Sequence, residues 1–211
     1  EIIEERLFAR TTTLITLCAY SPNYQTPGID VRYTKGIDFF VKKGYPIHTD
    51  AVSMQRDLWN YTLPATTQDK RADLAKEGIT FRAFTLSDYS SLMDFLEHEF
   101  EPGWKRNVIL ALQRKNAEQT ILLCVDNQIL GYCMRMIDGS QERFGPIGIQ
   151  SALRSKGLGG VLFDLMMLEM RKAGIYYAYF LWTSGAAIRF YERHGMSICR
   201  SYKVMSKETN S

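Results

Sequence analysis

Apolar and polar positions alternate along this chain in a way that marks out its elements. From residue 144 the sequence reads FGPIGIQSALRSKGLGGVLFDLMMLE. The short apolar run from Phe144 to Ile149 predicts a strand, a polar glycine-bearing turn follows, and the amphipathic run from Leu158 to Lys172 predicts a helix closing on Gly174. Upstream, ITFRAFTL predicts a strand. Ser87-Asp88 supplies a cap for a helix DYSSLMDFLEHEF that carries Leu92, Phe95 and Leu96 on one face. Glu101-Pro102-Gly103 interrupts that helix, and Trp104 opens a second one, WKRNVILALQRKN. TILLCV and QILGYCMRMI, joined at Asp126-Asn127, predict a hairpin. Beyond Gly174, IYYAYFLW predicts a strand and AAIRFYERHGM a short helix, so the order from Gly78 onward is β-α-α-β-β-β-α-β-α-β.

The N-terminal third repeats part of this order. EIIEERLFAR has helical spacing, Thr11 to Tyr20 is β-prone, SPNYQTPGID reads as a loop, IDFFVKKGYPI as a short helix, and TDAVSMQRDLW as a strand. Ile37 to Tyr45 (IDFFVKKGY) lines up with Ile188 to Met196 (IRFYERHGM), which places Phe40 opposite Tyr191. An unrelated α+β extension with a chance match is the alternative. TLPATTQDKRADLAKE is polar and ends in a helical run stopped by Gly78. The expected organisation is therefore a partial unit over 1–62, a linker over 63–77 and a full α/β domain over 78–211.

Composition adds exclusions. Hydrophobic content of 45% and charged content of 23% are ordinary for a globular protein. A net charge of +3 is too small to argue for nucleic acid or an anionic membrane as partner. No apolar run reaches the ~18 residues of a membrane span, and nothing resembles a signal peptide, so a cytoplasmic location is the expectation. The chain begins with Glu1 and not Met, which allows for a removed upstream region. Cys18, Cys124, Cys133 and Cys199 form no C-x-x-C pair and sit in apolar runs, which predicts buried reduced thiols. His48, His98 and His194 are scattered, and no metal site is expected.

Arg154, Gly157 and Gly159 form R-x-x-G-x-G between strand and helix, an arrangement in which backbone N–H groups and a helix N-terminus can face an anion. A Walker A loop needs Lys after its second glycine, whereas Lys156 precedes Gly157, and Gly157-Leu158-Gly159-Gly160 does not supply G-x-G-x-x-G. Read alone, the motif also fits a glycine-rich helix entrance packed closely on a strand.

Together with AAIRFYERHGM one helix and one strand later, the motif resembles the GCN5-related N-acetyltransferase (GNAT) family over residues 78–211. That resemblance implies an α/β (α+β) GNAT fold, a mixed and mostly antiparallel central sheet flanked by helices, with residues 1–62 as the closing half of a first such domain. It implies acetyl-CoA as cofactor: Arg154, Lys156, Gly157, Leu158, Gly159 and Gly160 around the diphosphate, and the backbone of Ile147 and Ile149 along the pantetheine arm. Tyr191 is implied as the proton donor to the leaving thiolate, and Phe40 at the matching position carries no hydroxyl. Glu142 is implied as the base, with Glu97, Glu99, Glu101 and Asp138 as weaker candidates; a solvated surface charge is the ordinary reading of each. Trp104 and Glu101 are candidate acceptor contacts, Trp104 equally a core aromatic. The chain departs from the family at Ser184, where Asn is frequent, and at Met196, where an aromatic is frequent, which puts the Ser184 cofactor contact in question.

TPGID followed by G-x-x-F-F, SMQRDLW and FGPIGI resemble tandem acetyltransferases acting on glucosamine or glucosaminides, units of which also occur fused to glycoside hydrolases. The implied function is direct acetyl transfer to a primary amine of a small-molecule acceptor, an amino sugar, in a protein that forms a homodimer or is fused to an upstream catalytic domain. The competing expectation is a non-catalytic acetyltransferase-like module that supports or dimerises such a hydrolase.

Overall fold

The computed structural model describes residues 2–8, 12–19 and 26–208. Parts of the predicted N-terminal helix, the Thr11 to Tyr20 strand and the SPNYQTPGID loop lie outside them. In chain order the elements are α1 (Ile2–Phe8), β1 (Leu14–Thr16), β2 (Ile29–Asp30), α2 (Thr34–Lys42), β3 (Ile47–Asp57), α3 (Ala65–Lys76), β4 (Thr80–Ala83), α4 (Tyr89–Glu99), α5 (Pro102–Gln113), α6 (Ala117–Thr120), β5 (Ile121–Asp126), β6 (Gln128–Arg135), β7 (Phe144–Ile149), α7 (Leu158–Lys172), β8 (Tyr177–Thr183), α8 (Ala186–Arg193) and β9 (Ser197–Glu208). Antiparallel sheets flanked by helices make this the mixed α/β architecture expected of a GNAT fold. The chain divides into two compact units, one of residues 55–180 and one of residues 1–54 with 181–211.

The 55–180 unit is built on a four-stranded antiparallel sheet in the order β4-β5-β6-β7. On one face, Leu92, Phe95 and Leu96 of α4 and Val108 and Ala111 of α5 pack with Ile121, Leu123, Tyr132 and Met134. α7 covers other buried side chains of the unit. Seven consecutive residues, Val161 to Met167, are buried, so this helix is enclosed on more than its sheet-facing side. Each fully buried apolar side chain there contributes about 1.5–3 kcal/mol. α3, the helical part of the segment read as a linker, packs on α7. Asp88, of the expected Ser87-Asp88 pair, is the N-cap residue of α4 but makes no side-chain cap bond there; with Thr85 it closes a capping box around the preceding turn over 86–88.

A second sheet runs β1-β9-β3-β8, with β2 also paired to β9. α2 and α8 end in the same way. Gly44 N donates to Val41 O and Tyr45 N to Phe40 O after α2, while Gly195 N donates to Glu192 O and Met196 N to Tyr191 O after α8. Both glycines take the left-handed conformation such a helix end requires, at φ of 83° and 75°. Tyr45 and Met196 then turn into the core, each 4% exposed. Two expectations for the cysteines need correcting. Cys124 and Cys133 are buried, but Cys18 and Cys199 are exposed, Cys18 in a bend and Cys199 on an outward position of β9.

Asp30, in β2, makes one prediction. Its carboxylate accepts from Arg32 N at 3.0 Å, Nε at 2.9 Å and Nη2 at 2.6 Å. Hydrogen bonds from the Arg32 side chain hold it at about 2, below the usual 3.8. The folded value lies below the unfolded one, so the stabilisation is complete above pH ~4 and is lost as pH falls from there through about 2. Because Arg32 is largely exposed, screening limits the effect to about 1 kcal/mol. Denaturant midpoints measured between pH 7 and pH 2 should fall less steeply in Asp30→Asn than in the unaltered chain, and parallel curves would contradict the assignment.

Candidate functional site

β7 is an edge of its sheet. Its pairing with β6 sets Gly131 opposite Ile149, Tyr132 opposite Gly148 and Cys133 opposite Ile147. Gln150 N donates to Leu130 O at 2.8 Å, which fixes the alternation: Gly148 and Gln150 direct their backbone groups to β6, and Ile147 and Ile149 direct theirs to the open edge. β7 meets β8 only through a parallel bridge, Arg143 to Tyr179, with Tyr179 N donating to Glu142 O at 3.0 Å. Past that bridge the outer edge of β7 has no strand partner among the described residues. Two of the residues read from the sequence, Ile147 and Ile149, are therefore those with outward backbone groups.

The turn after β7 opens into α7. Ser155 and Gly157 both take left-handed backbone, φ 71° and 85°. A turn of this kind points successive N–H groups into one concavity. Gly157 is the N-cap of α7 and no side chain caps the helix. Helix geometry leaves the amides of Leu158, Gly159 and Gly160 without acceptors inside the helix. Leu158 is buried; Arg154, Lys156 and Gly157 are exposed. Glu99, a sequence candidate for the base, accepts the Ser151 N–H at 2.8 Å and so ties the end of α4 to the beginning of this turn. The arrangement can hold a diphosphate on amides and cations and accept an extended chain along β7.

Phe100 and Trp104 lie over Gly148. Their rings stack at 4.2 Å with 9° between planes, and Trp104 also meets Tyr132 at 5.8 Å. Trp104 is thus half-buried with one ring face covered by Phe100. Burial pushes the Tyr132 phenol well above its ordinary value. Glu101 is the exposed N-cap of α5, and its carbonyl accepts Trp104 N. Glu97 pairs with Lys105, whose hydrogen bond and charge lower its pKa. Glu142 is exposed, and its carboxylate accepts from Ser140 Oγ at 2.8 Å. Asp138 lies 3.5 Å from Arg143 Nε.

Tyr191 and Ser184 belong to the other unit. Tyr191 stands half-buried on α8, edge-on to Phe190 at 5.1 Å, and its carbonyl closes the helix end. Ser184 follows β8, just ahead of Gly185, and is half-buried. Among the described residues no group of three His, Cys, Asp or Glu side chains could hold a metal ion, and no helix is long and apolar enough to cross a membrane.

Sequence reasoning missed the role of α3. Thr67 Oγ1 donates to Asp164 Oδ2 at 2.6 Å and Tyr61 OH donates to Asp164 O at 3.1 Å, both buried. The signal was present in the sequence: a carboxylate in the middle of VLFDLMM needs a buried polar partner.

No curated protein sequence matches the chain. Among solved structures, the fold is shared with the GCN5-related glucosamine N-acetyltransferase region of a fungal multi-domain GH3 β-N-acetylglucosaminidase, at TM-score 0.82 and 18% identity over 97% of this chain. A GCN5-related N-acetyltransferase from Sphaerobacter thermophilus aligns at TM-score 0.67 and 19% identity over 85% of this chain. The chain spans only 26% and 58% of the lengths of these two proteins. A tandem GNAT protein from the clavulanic acid biosynthesis pathway aligns at TM-score 0.55 and 12% identity, over 98% of this chain and 67% of that one. The family model described as the acetyltransferase (GNAT) family matches residues 88–196, just over half of the sequence, and the chain belongs to that family of N-acetyltransferases.

Proposed function

We propose that this chain transfers the acetyl group of acetyl-CoA directly to the primary amine of an amino sugar. The observation that carries the cofactor part is the uncapped start of α7 behind two left-handed residues, next to an unpaired strand edge. Acetyl-CoA supplies the acetyl group as a thioester. The amides of Leu158, Gly159 and Gly160 bind its diphosphate, with Arg154 and Lys156 adding charge, and the outward backbone groups of Ile147 and Ile149 bind the pantetheine arm. Ser184 is a further contact to that arm. An outward N–H of β7 stabilises the charge that grows on the acetyl oxygen. Glu142 takes one proton from the acceptor ammonium, which frees the nitrogen lone pair; Tyr191 gives its phenolic proton to the departing sulfur, and the second proton that the nitrogen sheds on becoming an amide restores the phenol, so protons balance across the transfer. Glu101 and Trp104 line the acceptor side.

Two features support the amino-sugar acceptor: the TPGID, SMQRDLW and FGPIGI segments, and a likeness that spans nearly the whole chain to a region named for glucosamine acetylation. As part of the same reading, residues 1–62 are the closing half of a first GNAT repeat. The matching hydrogen bonds after α2 and α8 support this. So does the sheet order β1-β9-β3-β8, which has the same sense from either end once β3 is exchanged with β9 and β1 with β8. Attachment to a glycoside hydrolase fits the multi-domain context of that fungal relative.

Acetyl-CoA at about 100 times its Kd should stabilise the chain by about 2.7 kcal/mol, a rise in Tm of about 5–10 °C. Glucosamine should be acetylated in preference to peptide amines and polyamines, with released thiol as the readout. A chain that neither melts higher with acetyl-CoA nor acetylates any of these amines would end the reading. Turnover on peptides or polyamines but not glucosamine would end its amino-sugar part alone.

A further inference from the structure

We infer that Lys70, on α3 and outside the segment that matches the family model, is a phosphate-binding residue for coenzyme A. The inference rests on the reading of the Arg154–Gly160 turn as the diphosphate seat. A Cβ built on Gly157 would stand 3.1 Å from Lys70 Cε and 3.8 Å from both Cδ and Cγ. The aliphatic stem of Lys70 therefore lies along the N-cap of α7 and leads its ammonium to the turn.

The placement follows from how α3 is docked. Thr67, Lys70 and Leu74 share one helix face at i, i+3 and i+7. Thr67 is fastened to Asp164 by a buried hydrogen bond, and Leu74 is 2% exposed. Thr67 meets α7 at Asp164 while Lys70, one turn further along α3, meets it at Gly157, so the two helices run in opposite directions. Lys70, one turn on from the anchor, is the first cation of α3 to reach the start of α7.

Charge points the same way. Lys70, Arg154 and Lys156 gather at or within three residues of Gly157, and none of them forms an ion pair among the described residues. Asp73, the acidic residue one turn beyond Lys70, is engaged by Lys76 at 2.8 Å. Three cations beside the positive end of a helix dipole repel one another, and a phosphate between them adds attractions that outweigh the repulsion.

The test is calorimetric titration of coenzyme A into the unaltered chain, Lys70→Met and Lys70→Arg. Met keeps the stem over Gly157 and removes the charge, and its affinity should fall about tenfold. Arg keeps the charge and should stay within about threefold. The Tm of Lys70→Met without ligand should move by no more than about 2 °C. Lys70→Met binding as well as the unaltered chain, or Lys70→Arg binding as poorly as Lys70→Met, overturns the assignment of Lys70 while leaving the turn as the cofactor seat. An unaltered chain with no affinity for coenzyme A overturns both together.

Discussion

Replacing Tyr191 by Phe should lower kcat for acetyl transfer by about 10²–10³-fold, the range over which a positioned general acid acts, while the Kd for coenzyme A changes by less than about twofold. The substitution removes one oxygen. Tyr191 is half-buried on α8 with its ring against Phe190 at 5.1 Å and its carbonyl accepting His194 N and Met196 N, and Phe preserves all of these. What is lost is a phenolic proton whose ordinary pKa, near 10, lies close enough above that of a thiol, near 8.5, for transfer to the departing sulfur. Steady-state rates with thiol detection, and the Kd for coenzyme A beside them, check both statements, and an unchanged kcat removes Tyr191 from the chemistry.

Helix α7 and strand β7 were legible in the sequence to the residue, because the signals that bound them are local: apolar spacing, Gly174 after the helix and Gly157 before it. The hairpin of β5 and β6 was legible for the same reason, with Asn127 taking the left-handed turn conformation at φ 44°. Where partners far along the chain decide, the sequence said less. Among the described residues, a threonine-rich β-prone stretch contributes only the three residues of β1, paired with β9 near the opposite end of the sequence. The segment over 63–77 is mostly polar, and its docking depends on Asp164, 97 positions beyond Thr67. Glu99 was legible as a surface acid near the acceptor loop, but its hold on Ser151 N spans 52 positions. At the site, the glycine turn and the strand ahead of it were readable because each motif residue sets its own backbone. The cation from α3 and the ring pair over Gly148 were not, since each is a product of packing.

That ring pair makes Gly148→Ala a substitution with a large expected cost in stability. Gly148 faces Tyr132 across the ladder, and a Cβ added there would stand 2.3 Å from Phe100 Cζ, 2.6 Å from Phe100 Cε1 and 3.0 Å from Trp104 Cζ3. Only the tip of Phe100 can yield, and it is held edge-on by Phe95 at 5.6 Å and stacked on Trp104 at 4.2 Å. Overpacking of this kind costs about 1–3 kcal/mol, a fall in Tm of about 2–12 °C for a chain of this size. The strain should be relieved by making room: Phe100→Ala combined with Gly148→Ala should be less destabilised than the two single losses added together, since the clash disappears with the ring. A functional loss should accompany the structural one. Phe100 directly follows Glu99, so a ring driven off Gly148 pulls on the carboxylate that fixes Ser151, and the affinity for coenzyme A should weaken with it. Thermal melting of the two single variants and the double variant decides the point. Strict additivity, or a Gly148→Ala chain that melts with the unaltered one, means that the rings swing clear of β7 without resistance.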